Sequence, residues 1–257
     1  MLKELTRDEL SQAGVQYGHQ TKRWNPKMAP FIFGSKNKNH IIDLEKTMTQ
    51  LDIARNLIAN IAKRDGKILF VGTKRTAKLA VKEAAMRSGN FYVNNRWLGG
   101  TLTNLKTISS RIKYLWEIEK EEADGRLSLR TKKEQILILK EKEKLEFVLG
   151  GIKQMRKVPS VLFVVDPQQE EIAVLEARKL GIPVIGICDT NIDPDMVDIA
   201  IPANDDIMES VNLIINNMIE AYADSAGIKM APSSLKTVAP KKEAFVSRED
   251  NSNREKN

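Results

Sequence analysis

Short, fully apolar runs alternate with helical patterns along most of this chain. The apolar runs cover residues 68–72, 91–93, 161–165, 184–188 and 199–201. Helical patterns follow three of these runs, at about residues 76–87, 168–180 and 205–222. Strands without polar alternation are typical of a parallel sheet that is covered by helices on both faces. The pattern therefore predicts an α/β fold with a doubly wound parallel sheet.

A longer segment separates the second and third predicted strands. Apolar side chains recur at helical spacing from Leu105 to Ile118, and residues 123–125 read as a turn. A second helical pattern at about residues 132–149 places three apolar side chains on one stripe: Ile138, Leu145 and Leu149. Two antiparallel helices of about 18 residues would form an arm of roughly 27 Å. This arm either makes a contact of its own or only braces the domain.

These patterns divide the chain into three parts. Residues 1–103 and 157–226 are predicted to form one globular α/β domain, with the helical hairpin arm inserted at 104–156. After Gly227 the composition becomes polar, charged and aperiodic. Residues 227–257 are therefore predicted to be a disordered, charged tail.

Composition excludes several classes of protein. The apolar runs have the length of strands and fall far short of the roughly 18 residues of a membrane-spanning helix. The N-terminal residues lack the apolar segment of a signal peptide, so we expect a cytoplasmic protein without a membrane partner. The single cysteine, Cys188, excludes an internal disulfide and a cysteine-rich zinc site. Its place in an apolar run indicates a buried side chain.

Charge is distributed unevenly along the chain, which carries a net +7. Residues 20–42 contain five cations and no acid, and residues 66–116 contain ten cations and one acid, Glu83. Residues 166–209 contain eleven acids against two cations, a net of −9. A domain with one strongly basic side favours a polyanionic partner. The acidic region is expected to face solvent or another protein.

Two segments, residues 18–40 and 94–104, interleave cations, amides and aromatic rings. Cations pair with phosphates, aromatic rings stack on bases, and amides and hydroxyls reach sugar oxygens. The predicted RNA-binding residues are Lys22, Arg23, Trp24, Asn25, Lys27, Lys36, Asn37, Lys38, His40, Lys74, Arg75, Asn94, Asn95, Arg96, Trp97, Thr101, Thr103, Asn104 and Lys106. Core packing is the alternative for Trp24 and Trp97, and Phe31 and Phe33 are expected in the core.

Lys74 and Arg75 belong to a turn after Gly72 that joins a predicted strand to a helix. Backbone N–H groups at such a turn bind phosphates in many α/β proteins. The turn lacks the three glycines of a dinucleotide fingerprint and the Gly-Lys-Ser/Thr ending of a phosphate-binding loop. The two cations therefore either hold a phosphate of a larger polyanion or only cap and solvate the turn.

Candidate catalytic and metal-binding residues are few. Asp166 and Asp189 end adjacent predicted strands, where they either serve acid–base chemistry or Mg²⁺ or form ordinary turns. The two histidines, His19 and His40, lie far apart in the chain and have no cysteine partner. We predict no metal site, although a carboxylate beside a histidine is an alternative.

Several of these segments resemble one family, the bacterial small-subunit ribosomal protein S-two. The similar stretches occur in the family's order and cover about residues 10–222: residues 18–28, 31–34, 40–47, 68–75, 94–104, 145–146, 149–152, 180–184, 189–195 and 201–206. One position departs from the family pattern, because members often carry a second histidine where this chain has Gln16. This difference weakens the expectation of a metal near His19.

The resemblance implies a flavodoxin-like sheet with an inserted coiled-coil hairpin. It also implies a non-enzymatic protein that binds small-subunit rRNA near the junction of head and body, joins late in assembly and supports docking of the mRNA-binding protein S-one. Neighbouring ribosomal proteins are its expected partners, without a homo-oligomer or a cofactor. Structural Mg²⁺ shared with rRNA is compatible with this role.

Two other classes of function fit parts of the sequence. One is an α/β enzyme or sensor for a phosphorylated small molecule, which would use the Gly72 turn with Asp166 and Asp189. The other is a protein adaptor that works through the helical arm, but it leaves the basic residues unexplained.

Overall fold

The computed structural model describes residues 5–231, which form a parallel sheet, a smaller antiparallel sheet and seven α-helices. The strands are β1 (Tyr17–Gln20), β2 (Ile32–Lys36), β3 (Asn39–Ile42), β4 (Ile68–Val71), β5 (Phe91–Val93), β6 (Val161–Val165), β7 (Val184–Cys188) and β8 (Ile199–Pro202). The α-helices are α1 (Arg7–Gln12), α2 (Leu44–Ala62), α3 (Lys78–Ser88), α4 (Leu105–Ala123), α5 (Lys132–Leu149), α6 (Glu171–Lys179) and α7 (Met208–Ala226).

The larger sheet is parallel throughout, in the order β5-β4-β6-β7-β8. Its five strands are the five predicted apolar runs, which confirms the α/β class. Numbered along the chain, the parallel strands follow the order 2-1-3-4-5, which is the flavodoxin-like order. The order reverses between β4 and β6. Ligand sites of doubly wound proteins lie at the carboxyl end of such a switch point.

Each face of the parallel sheet packs against its own set of buried side chains. Phe70 and Phe163 pack on one face with their ring planes tilted by 51° and their ring centroids 5.5 Å apart, under α2, α3 and α7. Leu69 and Leu162 point to the other face, which α6 and the segment around Trp97 cover. Alternate residues of one strand thus enter two different cores, and this requirement explains why the strands are apolar throughout.

The predicted helices are present with shifted ends. Helix α6 begins at Glu171 rather than near residue 168, because Asp166 has φ 60° and its Oδ1 accepts the Gln169 N–H at 3.1 Å. This turn delays the first helical residue. Helix α7 continues to Ala226, where Gly227 ends it with the left-handed φ of 68° that favours glycine.

Helices α4 and α5 occupy the segment that was predicted to form the arm. Thr131 and Glu134 form a capping box that begins α5. Side-chain bonds join the two helices, including Tyr114 Oη to Glu141 at 3.2 Å and the ion pair between Lys142 and Glu122. Coiled-coil packing of this pair and the domain bounds 1–103, 104–156 and 157–226 stay predictions.

Two parts of the fold lie outside the predicted elements. Helix α2 begins after the N-cap Asp43 and buries Leu51 and Ile58 against the sheet. The antiparallel sheet has the order β1-β3-β2 and consists of short strands rich in polar residues. Its side chains do not alternate cleanly between apolar and polar, and this is why the sequence pattern does not indicate strands.

The predicted tail covers residues 227–257, of which the structure describes only residues 227–231. The rest of this prediction lies outside the described residues. In the described part, Met230 packs against the core and the Ala231 carbonyl accepts a 2.9 Å hydrogen bond from Arg87 Nε. Among residues 5–231, no helix combines the length and the hydropathy needed to cross a membrane.

Tyr222 tests the packing of α7 against the sheet. The side chain is 2% exposed, and its hydroxyl donates to the Gly66 carbonyl at 3.0 Å. Tyr222→Phe keeps the ring but leaves this carbonyl without its donor, so we expect the free energy of unfolding to fall by about 1 kcal/mol. Urea denaturation measures the change, and Tyr17→Phe, at a 50% exposed position, is the control. Equal stability of the Tyr222 variant and the parent would contradict this role.

Candidate nucleic-acid interface

The β2–β3 turn carries cations into solvent. Lys36 pairs with Asn39, and the two residues between them, Asn37 and Lys38, have φ of 54° and 66°. Two left-handed residues in succession are the signature of a type I′ hairpin turn. Lys36, Asn37 and Lys38 are all exposed, so the turn presents two positive charges and an amide at its tip.

A second pair of cations lies beside this tip. Lys22 and Arg23 are exposed residues of a short 3-10 helix, Thr21–Arg23. The Thr21 N–H donates to the Lys38 carbonyl at 2.9 Å, and this bond holds the short helix next to the turn. The structure thus brings together cations that are sixteen residues apart in the chain. We call Lys22, Arg23, Lys36 and Lys38 the tip cations.

Three of the tip cations, Lys22, Arg23 and Lys38, differ from Lys27 in their partners. Lys27 Nζ lies 2.8 Å from Asp193 Oδ2 and 2.7 Å from Asp195 Oδ2, and hydrogen bonds to these carboxylates raise its pKa. Among the described residues, Lys22, Arg23 and Lys38 form no ion pair. Three of the tip cations are therefore available for an external anion, whereas Lys27 is already neutralised within the protein.

Aromatic side chains lie on the same small sheet. Trp24 is 39% exposed, and its ring centroid is 5.2 Å from that of His40. Phe33 is 78% exposed, so its predicted place in the core is wrong, while Phe31 is partly buried. The physical reason is that β2 is an edge strand with a bulge at Phe33. Exposed rings beside cations suit base stacking.

The second predicted segment, residues 94–106, is organised by a carboxylate from another part of the chain. Glu176 of α6 is buried, and its two oxygens accept five hydrogen bonds at 2.7–3.1 Å. The donors are Trp97 Nε1, Gly100 N, Leu102 N, Thr103 N and Thr103 Oγ1. Burial raises the pKa of Glu176, but these hydrogen bonds outweigh it and hold the pKa below its ordinary value.

This arrangement separates inward from outward residues in the segment. Trp97 and Thr101 are buried, at 8% and 2% exposure, and bond within the protein. A buried indole ring has no free face for a base, so the structure favours the core alternative for Trp97. Asn94 and Asn95 donate to the carbonyls of Lys78 and Phe147. The side chains that reach solvent are those of Arg96, Asn104 and Lys106, together with that of Thr103, whose hydroxyl is already bonded to Glu176.

Both predicted segments meet on one side of the parallel sheet. Met28 from the first segment and Trp97 from the second belong to the same buried cluster, together with residues of β4 and β6. The tip cations and the outward residues of the second segment therefore flank a shared core, although they are far apart in sequence.

Lys74 at the Gly72 turn has partners within the protein. Its Nζ lies 2.8 Å from Asp205 Oδ1 and 2.6 Å from Asp206 Oδ1. Burial lowers the pKa of Lys74, but the bonds to these two carboxylates outweigh it and raise the pKa above its ordinary value. Arg75 is exposed. Of the two predicted phosphate contacts at this turn, only Arg75 faces solvent freely.

The acidic region does not simply face away from the basic residues. Asp193 and Asp195 neutralise Lys27, and Asp205 and Asp206 surround Lys74. The side chains of Asp195 and Asp206 do face solvent, as expected, but all four acids also pair with cations of the basic segments. Burial and the neighbouring Asp189 raise the pKa of Asp205 to about 7, although Lys74 opposes the shift.

Asp189, at the end of β7, connects the two sheets. Its Oδ2 lies 2.9 Å from His19 Nδ1, and the next residue, Thr190, accepts the His19 N–H at 3.0 Å. The Asp189 carboxylate, as an acceptor for the ring N–H, raises the pKa of His19 against the effect of burial. A Cβ added at Gly18 would lie 2.6 Å from Thr190 Cγ2, so only glycine allows β1 to approach this closely.

At the switch point, the donor groups of the turn after β4 that could bind an anion already bind a carboxylate of the protein. The Thr73 N–H and Oγ1–H both donate to Glu170 Oε1, at 2.9 and 2.5 Å. Glu170 is 4% exposed, and burial raises its pKa. A phosphate at this turn would meet Glu170 and the nearby Asp166 at close range, and like charges repel. The geometry thus argues against a site for a phosphorylated small molecule.

Comparisons with known proteins agree on one family. The family described as "Ribosomal protein S2" matches residues 10–225. The "Small ribosomal subunit protein uS2" of Mesoplasma florum is 70% identical over 241 residues, which cover 94% of this chain and 91% of that protein. The protein of the same name from Mycoplasma capricolum subsp. capricolum is 72% identical over 95% of this chain and 84% of its own length. That of Spiroplasma citri is 61% identical over 92% and 66%.

Glu176→Gln tests the organisation of the 97–103 segment. The amide has one acceptor oxygen and no charge, so most of the five hydrogen bonds weaken. We expect the free energy of unfolding at pH 7 to fall by about 2–4 kcal/mol in urea denaturation. Glu171→Gln, an exposed position on the same helix, is the control and should stay within about 0.5 kcal/mol of the parent.

The same comparison has a defined pH dependence. Because the pKa of Glu176 is lower in the folded protein than its ordinary 4.5, its stabilisation is present above about pH 4.5 and is lost as the pH falls through the lowered pKa. The difference between the parent and Glu176→Gln should therefore shrink at acidic pH. A difference that is absent at pH 7 would show that the carboxylate does not hold the segment.

Proposed function

Because this chain belongs to the ribosomal protein S2 family, we propose that it binds rRNA of the small ribosomal subunit through the tip cations. The family is structural, so the chain is a structural ribosomal protein of translation and not an enzyme. The proposal places it on the ribosome in the cytoplasm, among the other proteins of the small subunit. The observation that carries the RNA contact is the set of exposed cations at the β2–β3 turn.

Electrostatics support this choice of surface. Lys22, Arg23 and Lys38 have no ion pair within the described residues, and they lie around one hydrogen bond, from Thr21 N to Lys38 O. Each cation that neutralises a phosphate releases counterions, which contributes affinity that falls as salt rises. Lys27 and Lys74 contribute less to this surface because carboxylates already neutralise them.

Aromatic and amide groups extend the proposed surface. Trp24 and Phe33 are exposed beside the tip cations, and single-stranded or splayed bases stack on such rings. In the second segment, Arg96, Asn104 and Lys106 reach solvent next to the Glu176-bound backbone. A segment that is already held rigidly loses little conformational entropy when it binds RNA. We propose that helices α4 and α5 form a second contact arm.

Lys38→Gly separates RNA binding from folding. Glycine removes the cation but adopts φ 66° without the steric cost that a lysine side chain has there. We expect the variant to be at least as stable as the parent and to bind less tightly to small subunits that lack this protein. Sedimentation of reconstituted subunits at several salt concentrations measures the binding, and the salt slope should fall by about 0.7–0.9 for one lost phosphate contact.

Two further variants complete this experiment. Lys22→Glu combined with Arg23→Glu reverses two tip cations and should lower occupancy of the subunit by more than tenfold at physiological salt. Lys46→Gln removes an exposed cation from α2 and is the control. Unchanged occupancy and salt slope in both tip variants would refute the proposed RNA surface.

The contact with neighbouring proteins is a separate part of the proposal. Ile136, Leu137 and Phe147 of α5 are 54%, 58% and 60% exposed. The adjacent and exposed Ile136 and Leu137 support a protein contact, and we propose that the arm helps to dock S-one. Ile136→Lys with Leu137→Lys should lower the S-one content of isolated subunits relative to their content of this protein. Normal S-one content would assign that contact to another surface.

A further inference from the structure

The carboxyl edge of the parallel sheet holds a group of side chains that the proposed RNA surface does not use. His19 comes from β1, and Asp205 and Asp206 lie between β8 and α7. One ligand atom from each of these three residues lies within 4.8 Å of the other two. The sequence does not reveal this group, because about 185 residues separate the histidine from the two acids.

Each of the two aspartates has one carboxylate oxygen that does not contact Lys74. Lys74 Nζ contacts the Oδ1 atoms of both Asp205 and Asp206. Asp205 is 0% exposed, and its Oδ2 is a buried atom without a hydrogen-bond partner in the described part of the chain. A buried carboxylate oxygen without a partner is costly, so this oxygen is open to a further ligand.

His19 is oriented as a metal-binding histidine would be. Its Nδ1 lies 2.9 Å from Asp189 Oδ2, and its Nε2 lies 3.2 Å from Asp206 Oδ2. A histidine that binds a metal through one nitrogen commonly donates the N–H of the other to a carboxylate, which fixes the ring. Asp189 is fully buried and is itself held by the Thr190 N–H. The ring therefore directs Nε2 toward Asp206 Oδ2, within the group that also contains Asp205.

The charge around this group also favours a cation. Asp166, Asp189, Asp205 and Asp206 gather around Lys74 and His19. Four carboxylates face one permanent positive charge, and the balance is still negative when His19 is protonated. A divalent ion between the Oδ2 atoms and Nε2 would compensate this excess without displacing Lys74 from the Oδ1 atoms.

We propose that His19 Nε2 and the Oδ2 atoms of Asp205 and Asp206 bind one Zn²⁺ ion, with Asp189 as the residue that orients His19. One imidazole and two carboxylates suit zinc better than magnesium, which prefers an octahedron of oxygens. The Asp206 side chain is 52% exposed, so a fourth position opens to solvent. The ion would connect β1 to the β8–α7 loop and thereby stabilise the attachment of the small sheet.

Zinc binding to the free full-length protein tests this site without the ribosome. After treatment with a chelator, equilibrium dialysis against ZnCl₂ with metal analysis gives the stoichiometry and Kd in the presence of 1 mM Mg²⁺. We expect one saturable Zn²⁺ per chain and a higher Tm with Zn²⁺. His19→Gln should raise the Kd at least tenfold and abolish the Tm increase.

The other histidine supplies the matched control. His40→Gln removes the only other imidazole of the chain, which lies against Trp24, and should leave the zinc Kd unchanged. Asp206→Asn changes a half-exposed ligand and should raise the Kd like His19→Gln, so the test does not depend on one variant that fails to fold.

Three results would overturn the proposal. They are no saturable zinc binding by the parent, an unchanged Kd in both His19→Gln and Asp206→Asn when circular dichroism shows them folded, and a loss of zinc binding in His40→Gln. In each case the geometry would be that of a protonated His19 paired with Asp189 and Asp206. These results do not bear on the proposed RNA surface, which is tested separately by the binding of tip-cation variants to small subunits.

Discussion

Hydrogen bonds between the N-terminal segment and the carboxyl edge of the parallel sheet determine where the proposed RNA surface lies. Asn25 N donates to the Thr190 carbonyl at 2.8 Å, Asn204 N donates to the Val15 carbonyl at 3.1 Å, and Asn204 Nδ2 bonds the Tyr17 carbonyl. With the His19–Asp189 contact, these bonds attach a small polar sheet that has little core of its own. The tip cations are positioned only because this attachment holds.

Acidic residues at that edge divide the cations into two groups. Those that lie near the edge, Lys27 and Lys74, are neutralised by aspartates of the β7–β8 and β8–α7 loops. Those farther out, Lys22, Arg23 and Lys38, keep their charge for solvent. The uneven distribution of charge along the chain thus has two uses, since it stabilises the junction of the sheets and leaves one outer surface basic.

Carboxylates also occupy places where other doubly wound proteins bind ligands. Glu170 accepts the Thr73 N–H at the switch point, and Glu176 accepts three backbone N–H groups of residues 100–103. Backbone N–H groups that converge in this way bind anions. Here the anions are side chains of the protein, so these N–H groups already have acceptors and are not available to a phosphate.

The sequence by itself determined the parallel sheet, because apolar runs such as residues 161–165 are stable only between two layers of helices. It also indicated that Lys22 and Lys38 lie in solvent, since a lysine is rarely buried. Only the tertiary structure decided the burial of Trp97, which depends on Glu176 79 residues later, and the neutralisation of Lys74 by Asp205, 131 residues away. The grouping of His19 with Asp205 and Asp206 has the same origin. The local pattern of apolar and polar residues indicates whether a side chain is buried or exposed. The partner of a charged side chain depends instead on which loops meet at one edge of the sheet.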